Sequence, residues 1–329
     1  MSGNHLERGD RFAIFWGGGL GDILAIRPLL LALARLLDRP PDFFTTATHL
    51  QDLFQQLGLQ VNLHILPTQP LPALKVFRDL DVSFDWLYLG AYPRIKTRML
   101  AHVVGAGRIW SRRHGGVDPF VGEQVLADLH AFGLGSAAPY GGSAALPRLP
   151  VTLPPDYLLF HPGAKPRWET TRWPVEHWQS LLLRVLQTSG SDVVLVGVDA
   201  EREGLESLSQ GLESGIRRRV HIETAMPLAG LVSAVEGSRG VVCHNSGVLH
   251  LSAALGRPTV AVTGSSARFW RPPYSHVQNV TSGACELACN QYRCPVPFYR
   301  ARCIKELGVE PVLEALRPVL GNQERSNTR

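Results

Sequence analysis

The sequence predicts an α/β protein with two domains, each built on a parallel sheet that is covered by helices. Short apolar runs alternate with amphipathic stretches, the alternation stops in a segment rich in Pro and Gly, and it then restarts. The length of 329 residues suits two domains of ordinary size. A content of 45% hydrophobic residues, with seven Trp, excludes a largely disordered chain.

The first half is predicted to contain four strands and the helices between them. The predicted strands are residues 12–16, 42–46, 61–66 and 85–89. The predicted helices are residues 23–37 and 49–57, with one more after the fourth strand. Short apolar runs bounded by turn residues are typical of strands that are buried on both faces of a parallel sheet.

The segment 135–156 (GSAAPYGGSAALPRLPVTLPPD) has no helical or alternating pattern, which indicates a linker. The strands predicted after it are residues 157–160, 192–197, 220–223, 240–244 and 259–263. The helices predicted after it are residues 176–188, 199–210, 249–255 and 308–320. We therefore expect an N-terminal domain (1–140), a linker (141–156), a C-terminal domain (157–320) and a disordered polar tail (321–329).

The charge balance suggests an anionic partner or substrate. The chain has 33 basic and 28 acidic residues, a net charge of +5 that is too mild to indicate nucleic acid. The most apolar N-terminal stretch, 23–37, is interrupted by Arg27 and Arg35 and is shorter than the roughly 20 residues of a membrane span. Residues 1–11 lack the apolar core of a signal peptide. We expect a cytoplasmic protein, with peripheral contact to the inner face of the membrane left open.

The first candidate site is the glycine-rich turn GGGLGD at residues 17–22, between a predicted strand and a helix. Backbone N–H groups and the helix dipole favour an anion at such a turn, although the turn does not match a P-loop. Its Asp22 has two interpretations: a carboxylate that complements the helix dipole, or a general base.

Two further candidate loops follow strands of the second half. Residues 161–174 (HPGAKPRWETTRWP) combine small residues, which let a ligand approach the backbone, with cations that suit a phosphate. Residues 244–250 (HNSGVLH) run from a strand end through a small-residue turn to a helix start, which also suits an anion. Each loop alone fits an ordinary βα connection equally well, but ligands of such sheets bind outside the carboxyl ends of the strands.

Taken together, these motifs resemble glycosyltransferase family 9, the ADP-heptose:lipopolysaccharide heptosyltransferases and their relatives. The resemblance is carried by GLGD with its helix and Pro28, by HPGA…RWP.EHW, and by NSGVLHLSAALGRPTVAVTGSS, and it covers roughly residues 12–318. It implies a GT-B fold, in which two Rossmann-like doubly wound domains face a cleft. It also implies inverting transfer, without a cofactor for the chemistry, of a heptose or related sugar from an ADP-activated donor. The implied acceptor is a hydroxyl of a bacterial surface glycan such as lipopolysaccharide core.

The resemblance also assigns roles to single residues. Asp22 matches the family's proposed catalytic base, and Glu201 matches the acid that holds the donor ribose hydroxyls. Arg172 stands where the family usually has a Lys that touches the donor phosphates, and Asn245 replaces the usual Asp of the diphosphate motif. The expected donor-binding residues are Gly163, Lys165, Arg172, Glu201, Asn245, Ser246, Gly247 and His250.

Basic residues of the first half suit a phosphorylated or acidic glycan as the acceptor. The expected acceptor-binding residues are Gly21, Arg94, Lys96, Arg98, Arg112 and Arg113. A solvated basic surface explains the cations equally well.

Four of the five cysteines crowd one stretch with the spacing C-x3-C-x4-C-x8-C. They are Cys285, Cys289, Cys294 and Cys303, in a loop over residues 285–303. In a reducing compartment such a cluster favours structural Zn or Fe over disulfides, with free thiols as the alternative. The resemblance adds that autotransporter heptosyltransferases carry an iron-binding Cys-rich segment.

Three other functions stay open from the sequence. A protein O-heptosyltransferase of the autotransporter-modifying type would use the same donor. An NAD(P)-dependent oxidoreductase would use the glycine-rich turn, but the acidic residue expected about 20 positions on is missing. A non-catalytic sugar-nucleotide-binding protein is suggested by Asn245, which lacks the charge of the usual Asp. An oligomer is also compatible with the sequence.

Overall fold

The computed structural model describes residues 6–80, 82–89, 105–111, 120–144, 146–163, 169–264, 270–285, 294–296, 298 and 300–321. The chain divides into two compact units, Met1–Ala145 and Leu146–Arg329. Each unit is organised around its own parallel sheet.

The first unit contains a five-stranded sheet in the order β3-β2-β1-β4-β5, with all neighbours parallel. Its strands are β1 (Phe12–Phe15), β2 (Asp42–Thr45), β3 (Asn62–Ile65), β4 (Phe84–Tyr88) and β5 (Ala106–Trp110). The four predicted strands are all present. β5 was not predicted, because its sequence AGRIW at the sheet edge is largely exposed and lacks an apolar run.

The helices described in the first unit cover this sheet. They are α1 (Leu20–Leu36), α2 (Leu50–Gln56), α3 (Pro70–Leu80) and α4 (Val121–Ala131). α1 begins three residues earlier than predicted, so that Asp22 lies in its first turn. α3 was not predicted because Pro70 and Pro72 suggest a loop, but Pro is well suited to the first helical position.

The second unit contains a six-stranded parallel sheet in the order β11-β10-β9-β6-β7-β8. Its strands are β6 (Tyr157–His161), β7 (Asp192–Val196), β8 (Val220–Glu223), β9 (Gly240–His244), β10 (Thr259–Val262) and β11 (Val277–Val280). This is the doubly wound order in which two βαβαβ halves meet in the middle of the sheet. The edge strand β11 was not predicted, because the sequence VQNV has only two apolar residues.

The described helices of the second unit pack on both faces of its sheet. They are α5 (Val175–Thr188), α6 (Arg202–Leu208), α7 (Ser214–Arg217), α8 (Leu228–Gly237), α9 (Gly247–Ala254), α10 (Arg302–Lys305) and α11 (Val309–Leu320). One buried core joins α5 and α11 to the sheet through residues such as Phe160, Trp178, Leu182 and Leu316. This apolar packing fixes where the strands end, and therefore where their loops stand.

Each sheet has one point at which the strand order reverses. It lies between β1 and β4 in the first unit and between β6 and β9 in the second. The loops that leave these neighbouring strands turn to opposite faces of the sheet, which opens a crevice at the carboxyl ends. The predicted Asp22 turn follows β1, and the two predicted phosphate loops follow β6 and β9.

Within the described ranges, no helix has both the length and the apolar character that crossing a membrane requires.

Part of the segment predicted as a linker is held firmly by the first unit. The guanidinium of Arg27, in α1, donates hydrogen bonds of 2.7 Å and 2.9 Å to the carbonyls of Tyr140 and Gly142. Three successive residues there have positive φ: 56° at Tyr140, 75° at Gly141 and 78° at Gly142. Burial lowers the pKa of Arg27, which is fully enclosed. A buried cation thus stabilises a left-handed turn immediately before the boundary of the two units.

Replacing Arg27 by Met should destabilise this turn strongly, because two carbonyls lose their charged donor. We expect the free energy of unfolding of the Arg27→Met variant to fall by about 2–4 kcal/mol in a urea titration. Arg35→Met, on the exposed face of the same helix, is the matched control and should cost only about 0.5 kcal/mol. Equal losses of the free energy of unfolding in the two variants would contradict the stabilising role assigned to Arg27.

Candidate functional site

The carboxyl ends of β6, β7 and β9 bring the two candidate loops of the second unit together with the loop that carries Glu201. The Oγ atom of Ser246, which precedes α9, lies 3.2 Å from Nδ1 of His161, the last residue of β6. This hydrogen bond joins the loops after β6 and β9 across the point where the strand order reverses. Desolvation lowers the pKa of His161, while the charge of Glu201 works in the opposite direction. The loop after β7, which carries Glu201, therefore acts electrostatically on the His161 ring.

The carboxylate of Glu201 lies against two glycines. A Cβ atom at Gly163 would stand 2.5 Å from Oε1, and one at Gly197 would stand 2.8 Å from Oε2. Because no real Cβ atom approaches so closely, any larger residue at either position would displace the carboxylate. Oε2 also accepts a 3.0 Å hydrogen bond from the backbone N–H of Val198. The predicted residues Gly163 and Glu201 thus lie against each other. The carboxylate of Glu201 is next to the ends of the strands.

The start of α9 forms the third part of this edge. The side-chain amide of Asn245 donates a 3.2 Å hydrogen bond to the main-chain carbonyl of Trp270. An ionised Asp could not make this donation. The ring of His250 meets the Trp270 ring edge to face at 5.8 Å. Burial lowers the pKa of His250 to about 4, so its ring is uncharged at neutral pH.

The cations predicted for the loop after β6 are only partly described. Arg172 is exposed, directly before the buried Trp173, and its charge contributes to a lowered pKa of His244. Lys165 lies outside the described residues.

In the first unit, the glycine turn after β1 closes around Asp22. A Cβ atom at Gly17 would lie 2.7 Å from Asp22 Oδ1, and one at Gly19 would lie 3.0 Å from Oδ2. Nε1 of Trp16 donates a 2.8 Å hydrogen bond to the main-chain carbonyl of Asp22. Gly18 packs against Ala47, where a Cβ would come within 2.2 Å. The turn requires glycine because of these close approaches, and they hold the Asp22 carboxylate at the end of β1.

The predicted acceptor-binding residues are mostly not described. Gly21 is buried in the first turn of α1. The remaining members of the set lie outside the described residues: Arg94, Lys96, Arg98, Arg112 and Arg113.

The predicted metal site is not supported by the described part of the chain. Among those residues, no three His, Cys, Asp or Glu side chains are grouped so that they could hold a metal ion. The Sγ atom of Cys294 donates to the carbonyl of Val296 at 3.3 Å, and Cys303 is buried beside Gly264. Cys285 is partly exposed, and Cys289 lies outside the described residues. Among the described residues, the expected Zn or Fe therefore has no donor set to which it can be assigned.

Residues 142–299 match the family model described as glycosyltransferase family 9 (heptosyltransferase). This segment includes the loops at the carboxyl ends of β6, β7 and β9. The family that the motifs predict is therefore the one that this part of the chain matches.

One curated protein that this chain resembles is lipopolysaccharide heptosyltransferase 1 of Pseudomonas aeruginosa. It is 33% identical over 108 residues, which are 33% of this chain and 28% of the relative. Lipopolysaccharide heptosyltransferase 2 of Salmonella typhimurium is 32% identical over 124 residues, 37% of this chain and 34% of the relative. The chain thus matches about a third of the length of these curated relatives.

Solved structures resemble the fold of this chain over nearly its whole length. Escherichia coli heptosyltransferase WaaC with ADP-2-deoxy-2-fluoro heptose aligns with a TM-score of 0.61 and 19% identity, over 93% of this chain and 100% of that one. The dodecameric iron-containing heptosyltransferase TibC, in complex with ADP-D-β-D-heptose, aligns with a TM-score of 0.56 and 15% identity, over 98% of this chain and 78% of that one. Together with the two parallel sheets, these likenesses confirm the predicted α/β fold class of the GT-B type.

Two histidines of this site were placed from the sequence at the start of its candidate loops without being given a role, and one glycine was assigned no role. His161 and His244 end β6 and β9, and Gly197 follows β7. Their position at strand ends is a usable signal, since those ends meet at one edge of the sheet. The hydrogen bonds and close approaches that involve them are contacts between distant loops, which spacing along the chain does not reveal.

Acid should destabilise the protein through its buried histidines. A His whose pKa falls from 6.5 in the unfolded chain to about 4 in the fold, as for His250, binds fewer protons when folded. Its contribution is complete above about pH 6.5. As the pH falls toward 4, each such group lowers the free energy of unfolding by up to roughly 1.4 kcal/mol per pH unit.

The His250→Gln variant should therefore show a flatter decline of stability between pH 6.5 and 4 in urea titrations. His49→Gln, at an exposed position, should leave the slope of the wild type. An unchanged slope in His250→Gln would show that the ring is not held uncharged by burial.

Proposed function

We propose that this chain is an inverting glycosyltransferase that moves a heptose from an ADP-activated donor to a hydroxyl of a bacterial surface glycan, in lipopolysaccharide core synthesis. The observation that carries the proposal is that the heptosyltransferase family match, residues 142–299, contains the whole edge formed by β6, β7 and β9. The names of the curated relatives and the ADP-heptose compounds in the solved structures support the choice of donor.

The donor nucleotide fits the charges at this edge. The carboxylate of Glu201, held by Gly163 and Gly197, accepts hydrogen bonds from ribose hydroxyls. The diphosphate takes the backbone N–H groups at the start of α9 together with the Ser246 hydroxyl, because a helix N-terminus favours an anion. Arg172 adds an exposed cation. With Asn at position 245 and an uncharged His250, no negative side chain of this motif opposes the phosphates.

The catalytic step assigned to the first unit is proton removal by Asp22. The acceptor oxygen bonds to the anomeric carbon while the bond from that carbon to the donor phosphate breaks, and ADP leaves. Asp22 takes the hydroxyl proton as the new bond forms. The glycine turn supports this role, because the absence of side chains at Gly17 and Gly19 leaves room for the Asp22 carboxylate at the end of β1.

A nucleotide panel tests the proposal at its first step. The purified chain is titrated calorimetrically with ADP, UDP, GDP, CMP, NAD⁺ and NADP⁺. Selective binding of ADP is expected, and transfer is then followed by mass spectrometry with ADP-heptose and lipopolysaccharide core acceptors. Binding of a nicotinamide dinucleotide alone would contradict the proposal, and transfer to a protein acceptor only would replace the glycan with the protein alternative.

Gly163→Ala is expected to weaken ADP binding about tenfold, because the new methyl group displaces the Glu201 carboxylate from the ribose. The side chain of Glu201 can move, so the thermal midpoint should change little. Gly204→Ala is the matched control: it lies in α6 with no atom within 4 Å of the added Cβ. Equal ADP affinity of the two variants would remove Glu201 from the ribose site.

Asp22→Asn should reduce turnover by about 10²- to 10⁴-fold while ADP affinity stays unchanged, since the amide keeps the shape but cannot take the proton. Asp52→Asn is the control, because Asp52 occupies the same third helical position in α2 and has only the helix-dipole role. Similar turnover of the two variants would reduce Asp22 to that role.

A further inference from the structure

We propose that His244 is a positioning residue of the nucleotide site, whose ring fixes the backbone of the segment that carries Arg172. This inference rests on the proposed function, because it names a residue through which the donor phosphates are met. His244 is the last residue of β9 and precedes the Asn245–His250 motif. We do not assign His244 a contact with the ligand. It acts through the Trp173 backbone on the neighbouring Arg172.

The ring nitrogen Nε2 of His244 accepts two hydrogen bonds from a different part of the unit. The backbone N–H of Trp173 donates at 2.9 Å, and Nε1 of Trp178 in α5 donates at 3.3 Å. The His244 and Trp178 rings also pack edge to face at 5.1 Å. The strand end is thereby tied both to α5 and to the residue that directly follows Arg172.

The side chain of Trp173 is anchored independently. Its Nε1 donates a 2.6 Å hydrogen bond to the carbonyl of Leu307, and the ring is buried. The indole therefore holds the residue in the core whether or not His244 is present. The contact of His244 with the Trp173 backbone N–H has a separate effect, which is to set the direction of the chain where Arg172 emerges.

The hydrogen-bond pattern requires the uncharged form of the ring. A neutral imidazole that accepts at Nε2 carries its proton at Nδ1, whereas a protonated ring would point an N–H at two donors. Burial lowers the pKa of His244 to about 3, and the charges of His161 and Arg172 act in the same direction, against a smaller opposing effect of the Gly163 and Pro162 backbone. His244 therefore adds a fixed acceptor and no charge to a site that must attract an anion.

A comparison of three substitutions separates this role from ordinary packing. His244→Gln places an amide oxygen near the position of Nε2 and should keep ADP affinity within about threefold of the wild type. His244→Leu removes the acceptor and should weaken ADP binding about tenfold. His244→Asn, which is too short to reach the Trp173 N–H, should weaken it similarly and serves if the Leu variant does not fold. Cys243→Ala, at the neighbouring buried position of β9, should lose stability but keep ADP affinity.

A double-mutant cycle with Arg172→Ala then tests whether His244 acts through the arginine. If it does, Arg172→Ala weakens ADP binding in the wild type but has little further effect in His244→Asn or His244→Leu. Fully additive losses, or wild-type affinity in His244→Leu and His244→Asn, would overturn the inference. A wild type that binds no ADP would instead refute the proposed function, so the two failures are distinguishable.

Discussion

The site of the second unit depends on parallel strands that end side by side where the strand order reverses. At that edge, the loops after β6, β7 and β9 are joined by contacts that leave no room for larger side chains. Glu201 lies against Gly163 and Gly197, and Ser246 is hydrogen bonded to His161. The sheet core fixes where the strands end, and these contacts hold the loops that follow them.

Charge is distributed sparingly at this edge. Desolvation lowers the pKa values of the histidines that line it, and Asn245 carries no charge. The carboxylate of Glu201 is held at a defined place, and the exposed Arg172 supplies the cation. This arrangement suits the two ends of a nucleoside diphosphate. The ribose hydroxyls would meet a hydrogen-bond acceptor, and the phosphates would meet neutral or positive groups. The first unit has a similar arrangement, in which the Asp22 carboxylate lies against glycines of the turn after β1.

Local sequence patterns predict most strands and helices of this fold, and the elements that they miss were missed for physical reasons. The buried central strands have continuous apolar runs, so β1, β6 and β9 were predicted. The edge strands β5 and β11 are partly exposed and have mixed sequences. The helix α8 was not predicted, because its sequence is so uniformly apolar that it shows little helical periodicity. At the site, the resemblance to a known family identified Glu201 and Asn245 as candidates, but the acceptor role of His244 arises only when β9 meets the loop before α5.

A crystal structure of the protein soaked or co-crystallised with ADP tests the central claim most directly. The account predicts the ribose on the Glu201 carboxylate and the diphosphate at the start of α9, with Arg172 turned toward it. ADP bound elsewhere on the chain, or held without contact to the loops after β6, β7 and β9, would contradict it.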